Sequence, residues 1–362
     1  MKSKRMKYLL AAVVVLTCAH TVAATEPMQM TMTTSISGKV WYIMLAGTGE
    51  VTIDWGDGSP RQKYELAIYR NCGAGVTSDD EQENCDEYIF SHTYLGSSTR
   101  TITITGKNIT HLGCTNLGLT ELDVSRNTQL IGLYCRSNQL NELDVSKNVL
   151  LTELSCGANQ LTSLDVSKNV LLTELYCRSN QLTSLDVSKN VLLTELSCGN
   201  NQLTNLDVSS NLLLKSLTCE DNQLTYLNIS SNVHLERLHC WNNQLTSLDI
   251  SGATSLKWFE CQRNRLTSLD VSKNIALIQF FCSRNQLISL DVSNNTELRN
   301  FGCSSNLLSS EALNSLFETL HGNTIVIGGG VAGKDIYVGN NPGTSTADLS
   351  IAKEKGWTVY NW

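Results

Sequence analysis

The chain has 362 residues, 41% hydrophobic and 17% charged, with 24 glycines, 13 cysteines and only three prolines. That is too apolar for a disordered chain and too poor in proline for a collagen or a stiff linker, and the length suits one large or two medium domains. The formal charge is −7 and no basic block lies beyond the first seven positions, which argues against a nucleic-acid partner and against docking on an anionic membrane.

The N-terminus reads as an export signal. Lys2, Lys4, Arg5 and Lys7 precede an apolar run from Tyr8 to about Ala19, and Thr21-Val22-Ala23-Ala24 supplies the small-residue exit. The run is shorter than the roughly 20 apolar residues that span a bilayer. Residues 1–24 are therefore assigned to a signal peptide, with cleavage after Ala23 or Ala24, and the protein is expected to be secreted or held at the cell surface or outer envelope. A second reading makes Cys18 a lipid-bearing cysteine, although Thr17 just before it fits such a site poorly. No other apolar segment is long enough for a membrane helix.

Residues 25–108 alternate in the manner of strands broken by Gly-Asp-Gly turns, as in Val51–Ser59, VTIDWGDGS, and Thr101-Ile102-Thr103-Ile104. A small β-sandwich is expected from that texture. The pair WGDGS and His92-Thr93-Tyr94 resembles the PKD-type immunoglobulin-like fold. The resemblance implies that Trp55 is core and that the Asp57-Gly58 turn is tied near His92 and Tyr94. An insertion from Tyr64 to Tyr88 departs from that family. Within it, Cys72 and Cys85 bracket Asp79, Asp80, Glu81 and Glu83. In an exported protein these two cysteines most simply form a disulfide. The acidic cluster reads either as a calcium site or as a solvated loop, and charge runs usually stay wet.

From Ile109 to Asn306 the chain repeats. Cys114, Cys135, Cys156, Cys177, Cys198, Cys219, Cys240, Cys261, Cys282 and Cys303 recur every 21 residues without slippage. Self-similarity at such a period marks a solenoid. Each unit holds two halves, L-x-x-L-x-C-x-x-N and L-x-x-L-D-V-S-x-N, as in Leu172 to Asn180 and Leu182 to Asn190. Both alternate apolar and polar residues before ending in asparagine, so a coil is expected to run strand, turn, second short extended segment, turn. Coils stacked at the strand spacing of about 4.8 Å give a rod or arc of roughly 45 Å. The pattern resembles the bacterial 21-residue leucine-rich repeats, and the cysteine in place of a core leucine resembles the cysteine-ladder internalins. That resemblance implies an extracellular recognition scaffold, often an adhesin, without naming a ligand.

The ladder cysteines read as buried small hydrophobes, with a redox or metal ladder as the sharper alternative. Disulfides between neighbours are disfavoured, because in-register strands hold Cβ atoms about 4.8 Å apart and a disulfide wants about 3.8 Å. An aspartate column, from Asp123 and Asp144 to Asp291, reads as local capping toward the serine two residues on. Calcium is the alternative, but it needs six to eight oxygens and the repeated glycines of such sites are missing. At Gly252-Ala253 the pattern breaks.

Residues 307–362 lose the repeat and read as a small α/β cap. A helix is expected from Ser309-Ser310-Glu311 through Leu320, strands at Thr324–Ile327 and Ile336–Val338, a turn at Asn340-Asn341-Pro342-Gly343, a helix at Ala347–Lys355 and a strand at Trp357–Tyr360. Gly328 to Gly333 matches G-x-G-x-x-G, but the next residues, Lys334 to Asn340, read as extended, so no helix N-terminus is there to hold a phosphate. The six histidines form no H-E-x-x-H pair and no G-x-S-x-G elbow occurs.

The fold class is thus mainly β: a leucine-rich-repeat solenoid of about ten coils, an N-terminal sandwich and a C-terminal cap. The expected function is a non-catalytic, monomeric scaffold for a protein or glycan partner, with no metal, cofactor or nucleic acid. Outward strand positions become aromatic and charged toward the C-terminal half, at Arg237, His239, Trp241, Trp258, Glu260 and Phe281, and these form the candidate site. Arg237 is expected over Trp258 as a cation–π pair. Tyr134, Arg136, Tyr176 and Arg178 are the second choice. The rival functions are a passive spacer and an envelope carbohydrate hydrolase using the stacked Glu153, Glu174 and Glu195. A hydrolase needs two carboxyls about 5 to 9.5 Å apart in a cleft, and nothing in the sequence supplies the cleft. Thr105 to His111 contains one glycine and no proline, so solenoid and sandwich are expected to join without a flexible linker.

Overall fold

In the computed structural model of the chain, the described residues are 28–35, 40–66, 89–94, 96, 98–324, 326–327 and 330–362. The export signal, Cys18, the Cys72–Cys85 pair and the acidic loop between them lie outside the described residues.

The N-terminal strands are β1 (Gln29–Thr34), β2 (Val40–Asp54), β3 (Gln62–Leu66), β4 (Ile89–Thr93), β5 (Arg100–Gly113) and β6 (Leu119–Asp123). They pair antiparallel as β1–β5, β1–β6, β2–β3, β2–β4 and β2–β5. The β2–β5 register shifts at Ala46/Gly47 and again between Thr48 and Val51. Gly47 sits there at φ 150°, and a Cβ on it would lie 2.0 Å from the Asn108 carbonyl oxygen, so only glycine fits this bend. Met30, Met32, Trp41, Ile43, Ile53, Trp55, Ile102 and Ile104 are buried in the core. The turn chemistry matches what the resemblance implied. Trp55 is fully buried and stacks on His92 at 4.8 Å. His92 Nε2 lies 2.7 Å from Asp57 Oδ2, and the Tyr94 hydroxyl donates to the Trp55 carbonyl at 2.6 Å.

β5 carries the chain directly onto the solenoid. Its first half pairs with β1 and its last three residues pair parallel with β7 (Gly132–Tyr134). From there the ladder continues in register through β8 (Glu153–Ser155), β9 (Glu174–Tyr176), β10 (Glu195–Ser197), β11 (Ser216–Thr218), β12 (Arg237–His239), β13 (Trp258–Glu260), β14 (Gln279–Phe281) and β15 (Asn300–Gly302). In each strand the middle residue points inward and the flanking two are half-buried or exposed, apart from Gly132 and Gly302. This is the alternation that one buried face demands.

The ten ladder cysteines are fully buried and unpaired. Burial pushes the Cys114, Cys156 and Cys303 thiols up to about 12, and the rest well above the ordinary thiol value, so the stack holds neutral thiols rather than thiolates. In β13 to β15 the inward strand residues become Phe259, Phe280 and Phe301, which stack at 5.4 and 5.2 Å with nearly parallel planes.

Two asparagine ladders tie the coils. Asn180 accepts from Leu161 N–H at 3.0 Å and donates to the Cys156 and Cys177 carbonyls at 3.1 Å each, and the other asparagines of this column repeat the scheme. Asn169 donates to the Val145 and Asn148 carbonyls at 3.0 and 2.8 Å. At the break, Ala253 supplies no amide, and a different inter-coil bond occurs nearby, from the Ser255 hydroxyl to the Val233 carbonyl at 2.9 Å.

The second extended segment expected in each coil is a regular strand only in the first coil, where it is β6 and pairs antiparallel with β1. In the later coils, among the described residues, its one lateral β-bridge is Asp207 to Asn228. Local turns use up the donors that pairing would need. Each aspartate Oδ1 accepts the N–H of the serine two residues on, at 2.8 Å in Asp144 and Asp165, and the next asparagine N–H bonds back to the valine carbonyl. The column therefore caps turns.

The C-terminal segment begins with α1 (Ser310–Thr319), capped by the Ser309 hydroxyl accepting from Ala312 N–H. A small hairpin of β16 (Val326–Ile327) and β17 (Gly330–Val331) comes next, so the glycine motif opens no helix. The ladder then resumes: β18 (Asp335–Tyr337) pairs parallel with β15, and β19 (Thr358–Tyr360) with β18. Between them lies α2 (Ser350–Glu354), shorter than the expected 347–355. Asn341, expected only in a turn, rejoins the asparagine ladder by donating to the Cys303 and Val338 carbonyls at 3.1 and 2.8 Å. Ile336 to Asn341 is thus a further half-repeat with valine in the cysteine position. The parallel ladder reaches about 12 turns, or about 50 Å at strand spacing. Among the described residues no helix is long and apolar enough to cross a membrane.

Candidate recognition face

The parallel register aligns outward side chains into three rows along the solenoid axis. One row starts each strand, one ends it, and the third comes just after the ladder cysteine.

In the C-terminal half, the Arg237 guanidinium carbon lies 5.1 Å from the centre of the Trp258 ring, and the Lys257 ammonium 5.9 Å from it. Lys257 also bonds Glu236 at 2.8 Å. His239 approaches Glu260 only to 3.9 Å, while Glu260 accepts from Gln279 Nε2 at 2.8 Å. Burial, with help from Arg237, lowers the His239 pKa against the pull of Glu260, so the ring is neutral at pH 7. Trp241 is half-buried in the third row. Phe281 leans toward Gly302, where a Cβ would lie 2.5 Å from its ring. The six expected residues thus share one face, but only Arg237 with Trp258 and His239 with Glu260 meet as pairs.

Three features were not legible in the sequence. Phe281 faces Tyr337 across Gly302 at 6.4 Å, Tyr337 stacks on Tyr360 at 4.7 Å, and Tyr360 meets Trp362 edge-on at 5.0 Å, which makes an aromatic run at the end of the ladder. Trp362 is 81% exposed. In the third row the Glu220 side chain folds back over Gly199, where a Cβ would lie 2.4 Å from its carboxyl carbon, and reaches Arg178 at 3.5 Å. In the N-terminal half, Tyr134 donates to Glu153, and the Tyr176 hydroxyl sits 2.9 Å from Glu174 and 2.8 Å from Glu195. Burial raises the Glu174 pKa, and its neighbours Glu153 and Glu195 add to the rise. The carboxylates a hydrolase would use are therefore bound up with tyrosine hydroxyls on an open sheet. Among the described residues no group of three His, Cys, Asp or Glu side chains could hold a metal ion.

The chain is similar to the functional domain of InlJ from Listeria monocytogenes, which includes a cysteine ladder. The identity is 34% over 63% of this chain and 55% of that one, with a TM-score of 0.51. The solenoid is a cysteine-ladder leucine-rich repeat. An internalin, InlF, of Listeria monocytogenes aligns at 20% identity over 64% of this chain and 74% of that one, with a TM-score of 0.51, a likeness of fold alone. This chain spans about half, 55%, of the InlJ domain's length. No protein-family model matches it, and neither does any curated protein. The solenoid's sealed core and open ladder face present the kind of extended surface that stacked repeats offer.

Proposed function

We propose that this leucine-rich-repeat chain is a non-catalytic, exported recognition scaffold that engages a protein partner through its ladder face, with Arg237, His239, Trp241, Trp258, Glu260 and Phe281 at the contact. The observation that carries the reading is the Arg237–Trp258 pair at 5.1 Å, with half-buried Trp241 on the same coil as Arg237. Tryptophan and arginine dominate interface hot spots, and a ladder about 50 Å long offers room for the roughly 800 Å² per partner of an ordinary interface. The same reading keeps residues 25–108 as a PKD-like β-sandwich, 109–306 as the repeat domain, 307–362 as a C-terminal cap, and Cys72–Cys85 as a disulfide.

The test is the double variant Trp241→Ala/Trp258→Ala against a purified surface-protein ligand of the native chain. The far-UV spectrum should stay unchanged and affinity should fall by about 2 kcal/mol or more. Full retention of affinity would remove this half of the face from the interface. Export is checked separately by sequencing the N-terminus of the protein recovered outside the cytoplasm, which should begin at Ala24 or Thr25.

A further inference from the structure

The N-terminal half of the face carries a pattern that the protein-binding reading does not use. Its coils alternate large and small residues: Tyr134 with Arg136, then Ser155 with Gly157, then Tyr176 with Arg178, then Ser197 with Gly199. Both tyrosines lean back along their own strands. A Cβ on Gly132, two residues back on the same strand, would fall 3.0 Å from the Tyr134 hydroxyl and 3.1 Å from its ring. The Tyr176 hydroxyl likewise reaches back to Glu174 on its own strand and across to Glu195 on the next. The hydroxyls bond carboxylates of the neighbouring row, Tyr134 to Glu153 and Tyr176 to Glu174 and Glu195, so each half-buried ring is tied in place. In the row of the two rings the intervening coil contributes only Ser155, and beside it Arg178 of the next coil runs against Gly157.

The spacing and the charges narrow the ligand. Two strand spacings set the rings about 9.6 Å apart along the axis. That is close to the repeat of one disaccharide in an extended β-1,4-linked pyranose chain, in which every second sugar turns the same ring face to one side. Glu153, Glu174 and Glu195, each already accepting from a tyrosine hydroxyl, leave their remaining lone pairs as an acceptor row on one flank, and exposed Arg136, with Arg178 shared with Glu220 at 3.5 Å, forms a donor row on the other. A polyanion would meet the carboxylates and a polycation the guanidiniums. A hydroxyl both donates and accepts, so a neutral polyhydroxyl chain satisfies both flanks. We propose that this half of the face binds a neutral, extended β-1,4-linked polysaccharide, with Tyr134 and Tyr176 stacking alternate sugar rings.

Stacking apolar sugar faces on preset aromatic rings needs little reorganisation, because the rings are already held. One sugar over each tyrosine and one between them makes a trisaccharide the shortest ligand that spans both. The test titrates the full chain with cello- and chito-oligosaccharides of two to six sugars, followed calorimetrically. Affinity should step up between two and three sugars. Tyr134→Ala and Tyr176→Ala should each abolish the step, a loss of about tenfold or more in Kd. Deleting residues 145–165, one whole coil, should put the two rings on adjacent strands and abolish the step while the far-UV spectrum keeps its form. Heparin and polylysine serve as charged competitors. The proposal is overturned if no oligosaccharide binds at millimolar concentration, if the double tyrosine variant binds as well as the native chain, or if either charged polymer displaces the sugar at equal concentration. Trp241→Ala/Trp258→Ala should leave the sugar titration unchanged, so this site and the protein-binding half stand or fall separately.

Discussion

Replacing Asn180 by alanine tests what holds the coils together. The substitution removes three buried hydrogen bonds, the one accepted from Leu161 N–H and the two donated to the Cys156 and Cys177 carbonyls. Leu161 N–H has no other route to water, because Leu161 is fully buried. At about 1 kcal/mol net per bond, the loss is about 3 kcal/mol. Asn169→Ala is the internal control. It removes two donated bonds, and the Asn169 side-chain oxygen it also deletes is buried without a partner among the described residues. Its cost should be about 2 kcal/mol or less. Both are read from urea denaturation followed by far-UV circular dichroism. Because coils touch only their neighbours, hydrogen exchange should show protection lost first in the coils flanking the substitution. An Asn180→Ala cost below about 1 kcal/mol, or an Asn169→Ala cost equal to it, would refute the bond-by-bond account.

The ladder thiols should resist a thiol reagent in the folded protein and react fully in denaturant, since all ten are buried and their pKa values are raised; reaction at the native-state rate of a free thiol would contradict the sealed core. Cys219→Ser puts a stronger polar group into an apolar stack and should cost about 1–3 kcal/mol in the same urea assay, more than Cys219→Ala if polarity rather than volume decides. Ala158 sits at φ 52°, a left-handed conformation that disfavours a Cβ, so Ala158→Gly should stabilise by about 0.5–1 kcal/mol, and a destabilisation would show the strain argument to be misplaced. Asp123, Asp144, Asp165, Asp186, Asp207, Asp249 and Asp270 have carboxyl pKa values lowered from 3.8 by bonds from the serine two residues on. A depressed folded pKa means the unfolded chain binds more protons, so this stabilisation is complete above pH 3.8 and is lost as pH falls through the folded values. Asp165→Asn with Asp186→Asn should flatten the fall of the urea midpoint between about pH 4 and pH 2, and an unaltered slope would assign acid lability elsewhere.

The 21-residue cysteine period, the buried leucines and the two asparagine columns by themselves specify a stacked solenoid, because a coil that cannot bury its apolar face alone must repeat it on its neighbour. The Arg237–Trp258 pair comes from the same arithmetic, since in-register strands place residues 21 apart side by side. Where a feature depends on pairing between segments of different spacing, the sequence is silent. Cys303 and Val338 are 35 residues apart, so no period marks Ile336–Asn341 as a further half-repeat, and only the β15–β18 register brings Tyr337 beside Gly302. Tyr360 and Trp362 join that aromatic run for the same reason. The aspartate–serine segments carry a strand-like alternation, yet after the first coil, where β6 pairs with β1, the tertiary structure leaves them without a regular ladder. The lean of Tyr134 and Tyr176 was decided by what lies beside each ring, Gly132 in one case and two glutamates in the other. Periodic contacts are encoded in the repeat itself, whereas the direction a side chain leans is settled by the space its neighbours on adjacent coils leave open.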